Sequence, residues 1–188
     1  MTPRIASEAD GLARQWAAAP AFMRHVGFTY GNRPHHRSNA LKAVRAFKEH
    51  AAAEGMEQQW RGRRVLEVGV GDGWLGVELL KSVGVKRYLG VDLSDDSLAQ
   101  TRGALLKAGL AEGRDFELSS AHVPLRALAP DVVVSQWTIQ HFPSEAYTRA
   151  WLRNVSQSGA SRVVVHFCGP CNASAHAREP VSYTHLRA

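Results

Sequence analysis

The stretch "EVGVGDGWLG", residues 67–76, sets four glycines in ten positions. A chain uses glycine where a Cβ would collide with a neighbour or where φ must be positive. The backbone of this turn is therefore expected to pass close to something. The residues before it, "RRVLEVG", read as a strand, and those after it, "WLGVELLKSVG", as a helix closed by Gly84. A strand, a glycine turn and a helix in that order open an α/β unit.

The same alternation continues downstream. "KRYLGVDL" is a second strand, and "SDDSLAQTRGALLKAGL" is a helix that Ser94 caps, with Asp95 and Asp96 at the positive end of its dipole. "DFELSSA", "DVVVSQW" and "SRVVVHFC" are three further strands, and "SEAYTRAWLRNVSQSG" is a helix between the last two. Strands with continuous apolar cores, alternating with helices, belong to a parallel sheet covered on both faces. The fold expected is α/β, a Rossmann-like doubly wound parallel sheet. Its ligands bind at the carboxyl ends of the strands.

Upstream, residues 8–18 and 38–54 read as helices joined by the loop "GFTYGNRPHHRS". Leu41, Val44, Phe47 and Ala51 recur at three- and four-residue steps, so the second helix buries one face. Residues 1–60 form an N-terminal helical cap segment and 61–179 the α/β domain. The last nine residues, "PVSYTHLRA", resemble a translated transposon-type sequencing adapter. On that reading 180–188 are a non-native tail, and the sheet lacks its final strands.

The 188 residues suffice for one domain with a sizeable core. No apolar run reaches the roughly 20 residues a membrane helix needs. The amino terminus has no apolar signal core, and two cysteines make no disulfide framework, so a cytoplasmic protein is expected. The net charge is +6, but its densest clusters are only "RGRR" and "RPHHR". Arginines spread over a solvated surface account for it better than a nucleic-acid site does.

Formally, Gly71, Gly73 and Gly76 satisfy G-x-G-x-x-G, the dinucleotide fingerprint. That register extends the strand to Val70 and buries Glu67 at its centre, where an unpaired carboxylate is costly. Starting from Gly69 gives G-x-G-x-G instead, with Trp74 where a third fingerprint glycine belongs and Glu67 at the strand tip beside the ligand. In that register "VLEVGVGDG" resembles the first motif of class I S-adenosylmethionine-dependent methyltransferases. The resemblance implies S-adenosylmethionine (SAM) as the donor, whose ammonium and sulfonium an acid attracts. Glu67, Gly69, Gly71 and Gly73 would hold its methionine end. Asp92, followed by Leu93 at the tip of the second strand, would accept from the ribose hydroxyls.

"PDVVVSQWTIQHF" is similar to the family's fourth motif, with Gln136 and Trp137 near the transferable methyl and His141 in the following loop. His141 is the candidate general base, or else a histidine that orders the loop. Many members carry an acid after the third strand for the adenine amine. Here Ala121 stands there, flanked by Ser120 and His122, so backbone groups or His122 would serve.

Enzymes that methylate base amines carry a Pro-Pro-aromatic motif at the end of the fourth strand, but "SQWT" there has no proline, and a small-molecule acceptor methylated at O or N is expected. Tyr30 and Arg37 are candidates to touch donor or acceptor, while His35 and His36 read as surface residues. Cys168 and Cys171 form a C-x-x-C that follows the fifth strand and Phe167, out of place for a redox motif and short of ligands for zinc. No metal is expected. Two other readings stay open: a catalytically silent SAM-binding module and an NAD(P)-dependent oxidoreductase.

Overall fold

The computed structural model describes residues 55–136 and 138–166, the isolated positions 49, 52 and 53, and the backbone of 184–186. The helices expected at 8–18 and 38–54 thus lie outside the described residues, apart from helical backbone at 49, 52 and 53. A short helix α1 (Met56–Trp60) leads into β1 (Arg64–Val68). After the glycine turn come α2 (Trp74–Glu78), β2 (Arg87–Asp92), α3 (Asp95–Lys107) and β3 (Phe116–Ser120). A 3-10 turn (Leu125–Leu128) precedes β4 (Val132–Gln136), and another (Ile139–His141) precedes α4 (Glu145–Ser156). The chain then enters β5 (Arg162–His166), and β6 (Thr184–Leu186) lies at the sheet edge.

The strand order is β3-β2-β1-β4-β5-β6, with the first five parallel and β6 antiparallel to β5. The chain works outward from β1 in one direction and returns through β4 to build the other. The crevice for a ligand therefore opens above the carboxyl ends of β1 and β4, where the winding reverses.

Successive side chains of a strand point to opposite faces, and this sheet covers both. Val65, Tyr88, Val132 and Val134 pack with Leu75, Leu79, Leu98 and Leu105 under α2 and α3. Leu66, Val68, Leu89, Val91 and Val133 pack with Trp151 and Val155 of α4. Two apolar layers thus clamp the central strands, which explains why their sequences carry near-continuous apolar runs.

The helix starts follow their caps. The Ser94 hydroxyl accepts from the Ser97 amide at 3.3 Å, with Asp95 and Asp96 in the first turn. The Ser144 hydroxyl accepts from the Tyr147 amide at 3.1 Å, with Glu145 following.

Two departures from the expected fold are physical in origin. The helix expected from Trp74 to Gly84 widens into a π-helical turn over Leu79–Val83, which Gly84 closes at φ 75°. Leu75, Leu79 and Val83 are spaced by four, more than an α-helical turn, and the wider turn keeps all three buried. The sheet also does not stop at β5. Residues 184–186, inside the segment read as a tail, pair with Val163, Val164 and Val165. An open strand edge presents unpaired N–H and C=O groups that any extended segment can satisfy.

Two glycines in helices make opposite demands. A Cβ at Gly76 would lie 2.7 Å from the fully buried Tyr88 ring, whereas one at Gly103 meets nothing within 4 Å. Gly76→Ala is expected to destabilise the protein by about 1–3 kcal/mol through overpacking. Gly103→Ala is expected to stabilise it by about 0.5–1 kcal/mol through helix propensity. Urea midpoints for the two variants check both signs.

Candidate functional site

The glycine turn runs left-handed three times, with φ of 84° at Gly69, 55° at Gly71 and 81° at Gly73. Each glycine has its own reason. A Cβ at Gly69 would run into the Thr138 side chain beyond β4, and one at Gly73 would stand 2.8 Å from the Thr101 Cα of α3. At Gly71 a Cβ would meet nothing within 4 Å among the described residues. The turn is thus packed against protein at both ends and open at its middle.

Asp92 anchors that middle. Its Oδ2 accepts from the Gly71 amide at 3.3 Å and its Oδ1 from the Ser94 amide at 2.9 Å. The Thr101 hydroxyl donates to the Gly71 carbonyl at 3.1 Å. Turn, β2 tip and α3 are therefore locked together around one carboxylate. Burial raises the pKa of Asp92 above the ordinary aspartate value, against the pull of those amides.

Glu67 is found deeper than expected. β1 does end just before Gly69, at Val68, but Glu67 is only 3% exposed and lies beneath the turn rather than opening onto it. It shares the face of Val65, where Tyr88 supplies a partner: the Tyr88 hydroxyl donates to Glu67 Oε2 at 2.7 Å. A buried carboxyl is tolerable only with such a bond. Burial pushes Glu67 up to about 8; the Tyr88 bond opposes the rise, and Asp72 and Asp92 add to it.

Asp72, which the sequence reading did not single out, completes an acidic floor. Its Oδ1 accepts weakly from the Trp74 amide at 3.4 Å, while its Oδ2 is buried with no hydrogen-bond partner among the described residues. Burial raises it to about 6. The available signal was an acid inside the glycine turn itself, between Gly71 and Gly73. An open cradle at Gly71 beside an orphaned carboxylate oxygen fits a ligand with a cationic end.

The other predicted residues fall on several elements. Leu93, just past β2, packs with Phe142 against Tyr147. The Ala121 amide donates to the Asp92 carbonyl at 2.9 Å, so it is already used within the sheet. His122 is exposed, and its amide donates to the Ser120 hydroxyl at 3.4 Å. Gln136 ends β4, and Trp137 lies outside the described residues. His141 closes the 3-10 turn, half-buried, and its burial lowers its pKa. Behind it the Phe142 ring meets Tyr147 and Trp151 edge-on, at 4.9 and 5.6 Å.

Tyr30, His35, His36, Arg37, Cys168 and Cys171 lie outside the described residues. Among the described residues no three His, Cys, Asp or Glu side chains gather as metal ligands, and no helix is long and apolar enough to cross a membrane.

The acidic floor predicts a pH effect on folding. Glu67 binds its proton more tightly folded (about 8) than unfolded (4.5), and Asp72 does the same (about 6 against 3.8). Between the two values of each acid the native state holds more protons. Stability is therefore full at low pH and falls as pH rises through the folded values. Glu67→Gln, which keeps an acceptor for Tyr88, is expected to flatten the decline between about pH 6 and about pH 8 in chemical denaturation.

Comparison with known proteins shows the fold and the family. A family model described as a methyltransferase domain matches residues 65–159, half of the chain. Magnesium protoporphyrin IX methyltransferase from Synechocystis PCC 6803, solved with bound SAM, superposes with a TM-score of 0.63 at 18% identity, covering 87% of this chain and 77% of that one. The methyltransferase domain of bacterial CtHen1-C gives 0.54 at 21% identity, covering 67% and 65%. Nonribosomal peptide synthetase kk1B from Curvularia clavata is 33% identical over 86 residues, 44% of this chain, which spans 1% of that protein's length. Since the family match falls on the strands and helices that build the glycine turn and the β4 tip, this chain belongs to the methyltransferase-domain family.

Proposed function

We propose that this chain transfers the methyl group of SAM to an O or N atom of a small molecule, in the cytoplasm. The observation that carries the reading is the open cradle at Gly71 beside the unpartnered Asp72 oxygen, with Asp92 bonded to the same turn. Gly69, Gly71 and Gly73 would admit the donor's methionine and ribose portions close to the backbone. Asp72 and the deeper Glu67 would supply the negative potential for its ammonium and sulfonium. Asp92 would accept from the ribose hydroxyls, and Leu93, Ala121 and His122 would flank the adenine.

When bound, SAM supplies a methyl already activated by the sulfonium. The chain's own task is alignment and exclusion of water. Gln136 ends β4 on the side where the acceptor would enter, and Trp137 follows it in the sequence. His141, whose burial lowers its pKa, would take the proton an acceptor hydroxyl or amine gives up. The absence of a proline within "SQWT", residues 135–138, supports a small acceptor over a nucleic-acid base.

Donor binding is tested by calorimetry. Asp92→Ala is expected to weaken SAM by about 1–3 kcal/mol, because the ribose loses a charged acceptor and the turn loses its anchor. Gly71→Val is expected to abolish binding while the protein stays folded, since its side chain fills the cradle. Wild-type affinity in both variants, or tighter binding of NAD than of SAM, would exclude the donor site.

Catalysis is tested once an acceptor is found in a panel of hydroxyl and amine compounds. His141→Ala is expected to lower kcat by about a hundredfold with SAM affinity unchanged. In the wild type, kcat should fall on the acid side, below the ordinary histidine range. An unaltered kcat would leave His141 as an ordering residue of its loop.

A further inference from the structure

Tyr88 lies one layer below the turn, on the second residue of β2, and is fully buried. Two glycines make room for its ring. A Cβ at Gly76 would come within 2.7 Å of it, and one at Gly90, within the same strand, within 3.2 Å. The ring thus fills a socket closed from above by α2 and from the side by its own strand. Its hydroxyl projects to a single described partner, Glu67 Oε2 at 2.7 Å. A tyrosine needed only for volume would not require a carboxyl at the end of its hydroxyl. A phenylalanine would fill the same socket at no polar cost.

We infer that Tyr88 is a positioning residue for donor binding: its hydroxyl holds the Glu67 carboxyl beneath the glycine turn and favours the charged form that attracts the donor's cationic end. This rests on the reading of the site as a SAM site. Tyr88 touches no ligand and acts through Glu67. The titratable groups facing Glu67 are Tyr88 and Asp92 from β2 and Asp72 from the turn. α2 packs on the Tyr88 ring through Gly76 and α3 on the turn through Thr101, and neither of those residues titrates. Two acids thus oppose ionisation of Glu67, and among the described residues the hydroxyl is the one facing group that favours it. Without it, Glu67 becomes charged only at higher pH, and the donor's ammonium meets a neutral floor over a wider range.

The test is calorimetry of S-adenosylhomocysteine on the full chain between about pH 6 and about pH 9, for the wild type, Tyr88→Phe, Glu67→Gln and the double variant. The ligand's α-amino group titrates near pH 8, but that factor is common to all four proteins and cancels in affinity ratios. Tyr88→Phe is expected to bind about tenfold more weakly than wild type near pH 6–7, the loss shrinking to about twofold near pH 9. In the Glu67→Gln background the same change should have no effect at any pH. A ratio that stays constant with pH, or an equal loss in the Glu67→Gln background, would overturn the inference and leave Tyr88 as packing alone.

Should Tyr88→Phe fail to fold, the wild type grown with 3-fluorotyrosine supplies a stronger donor at the same atom. Its affinity step should then move to lower pH, and an unmoved step overturns the inference. Failure of the wild type to bind either SAM or S-adenosylhomocysteine is the separate result that refutes the donor site itself.

Discussion

A carboxyl group in the central strand of a covered parallel sheet is a severe constraint, and the hydrogen bond from Tyr88 to Glu67 is how this chain meets it. Unpaired, such a group costs several kcal/mol even after neutralisation. Placing a phenol where it can reach Glu67 puts a large ring under α2, and that ring excludes a Cβ from Gly76 and crowds one at Gly90. The last glycine of the turn segment therefore answers to packing, while Gly71 answers to open space. The formal dinucleotide fingerprint arises because two unrelated demands, at Gly71 and Gly76, fall at its spacing.

The same constraint organises the electrostatics of the crevice. Glu67, Asp72 and Asp92 sit close enough for each to oppose ionisation of the first, and all three are raised by burial. Such a cluster is unfavourable in isolation and becomes favourable only with a cation among its members. Folding stability and ligand affinity are then drawn in opposite directions by pH. Rising pH charges the floor, which weakens the fold and strengthens the attraction for a cationic ligand. Local instability of this kind is common where a site is built to hold an opposite charge.

Much of this was legible in the sequence, for identifiable reasons. "RVVVHF" and "DVVVSQ" are apolar on both faces, which only a sheet covered on both sides allows, and Ser94 announces its helix. Asp92 was legible because a strand tip followed by a capped helix is a local pattern. The depth of Glu67 was not, because it depends on a partner a strand away whose hydroxyl direction no local signal encodes. Asp72 was overlooked because an acid in a turn is ordinary turn chemistry, and only the burial of its Oδ2 makes it unusual. The π-helical turn and the edge pairing of 184–186 follow from packing and from an unpaired edge, neither of which has a periodic signature.

What distinguishes this site from a dinucleotide turn is the sign of the potential beneath the same backbone shape. A pyrophosphate needs amides and a helix terminus with no carboxylate nearby. Here α2 begins after a left-handed Gly73, and the amide of Gly71 is already committed to Asp92. The turn has thus given one of its own anion-binding donors to a carboxylate of the protein. A turn that neutralises its donors internally and stacks acids beneath them repels phosphate and accepts a cation. That preference follows from the wiring of Gly71 to Asp92 and of Glu67 to Tyr88, whatever acceptor shares the crevice.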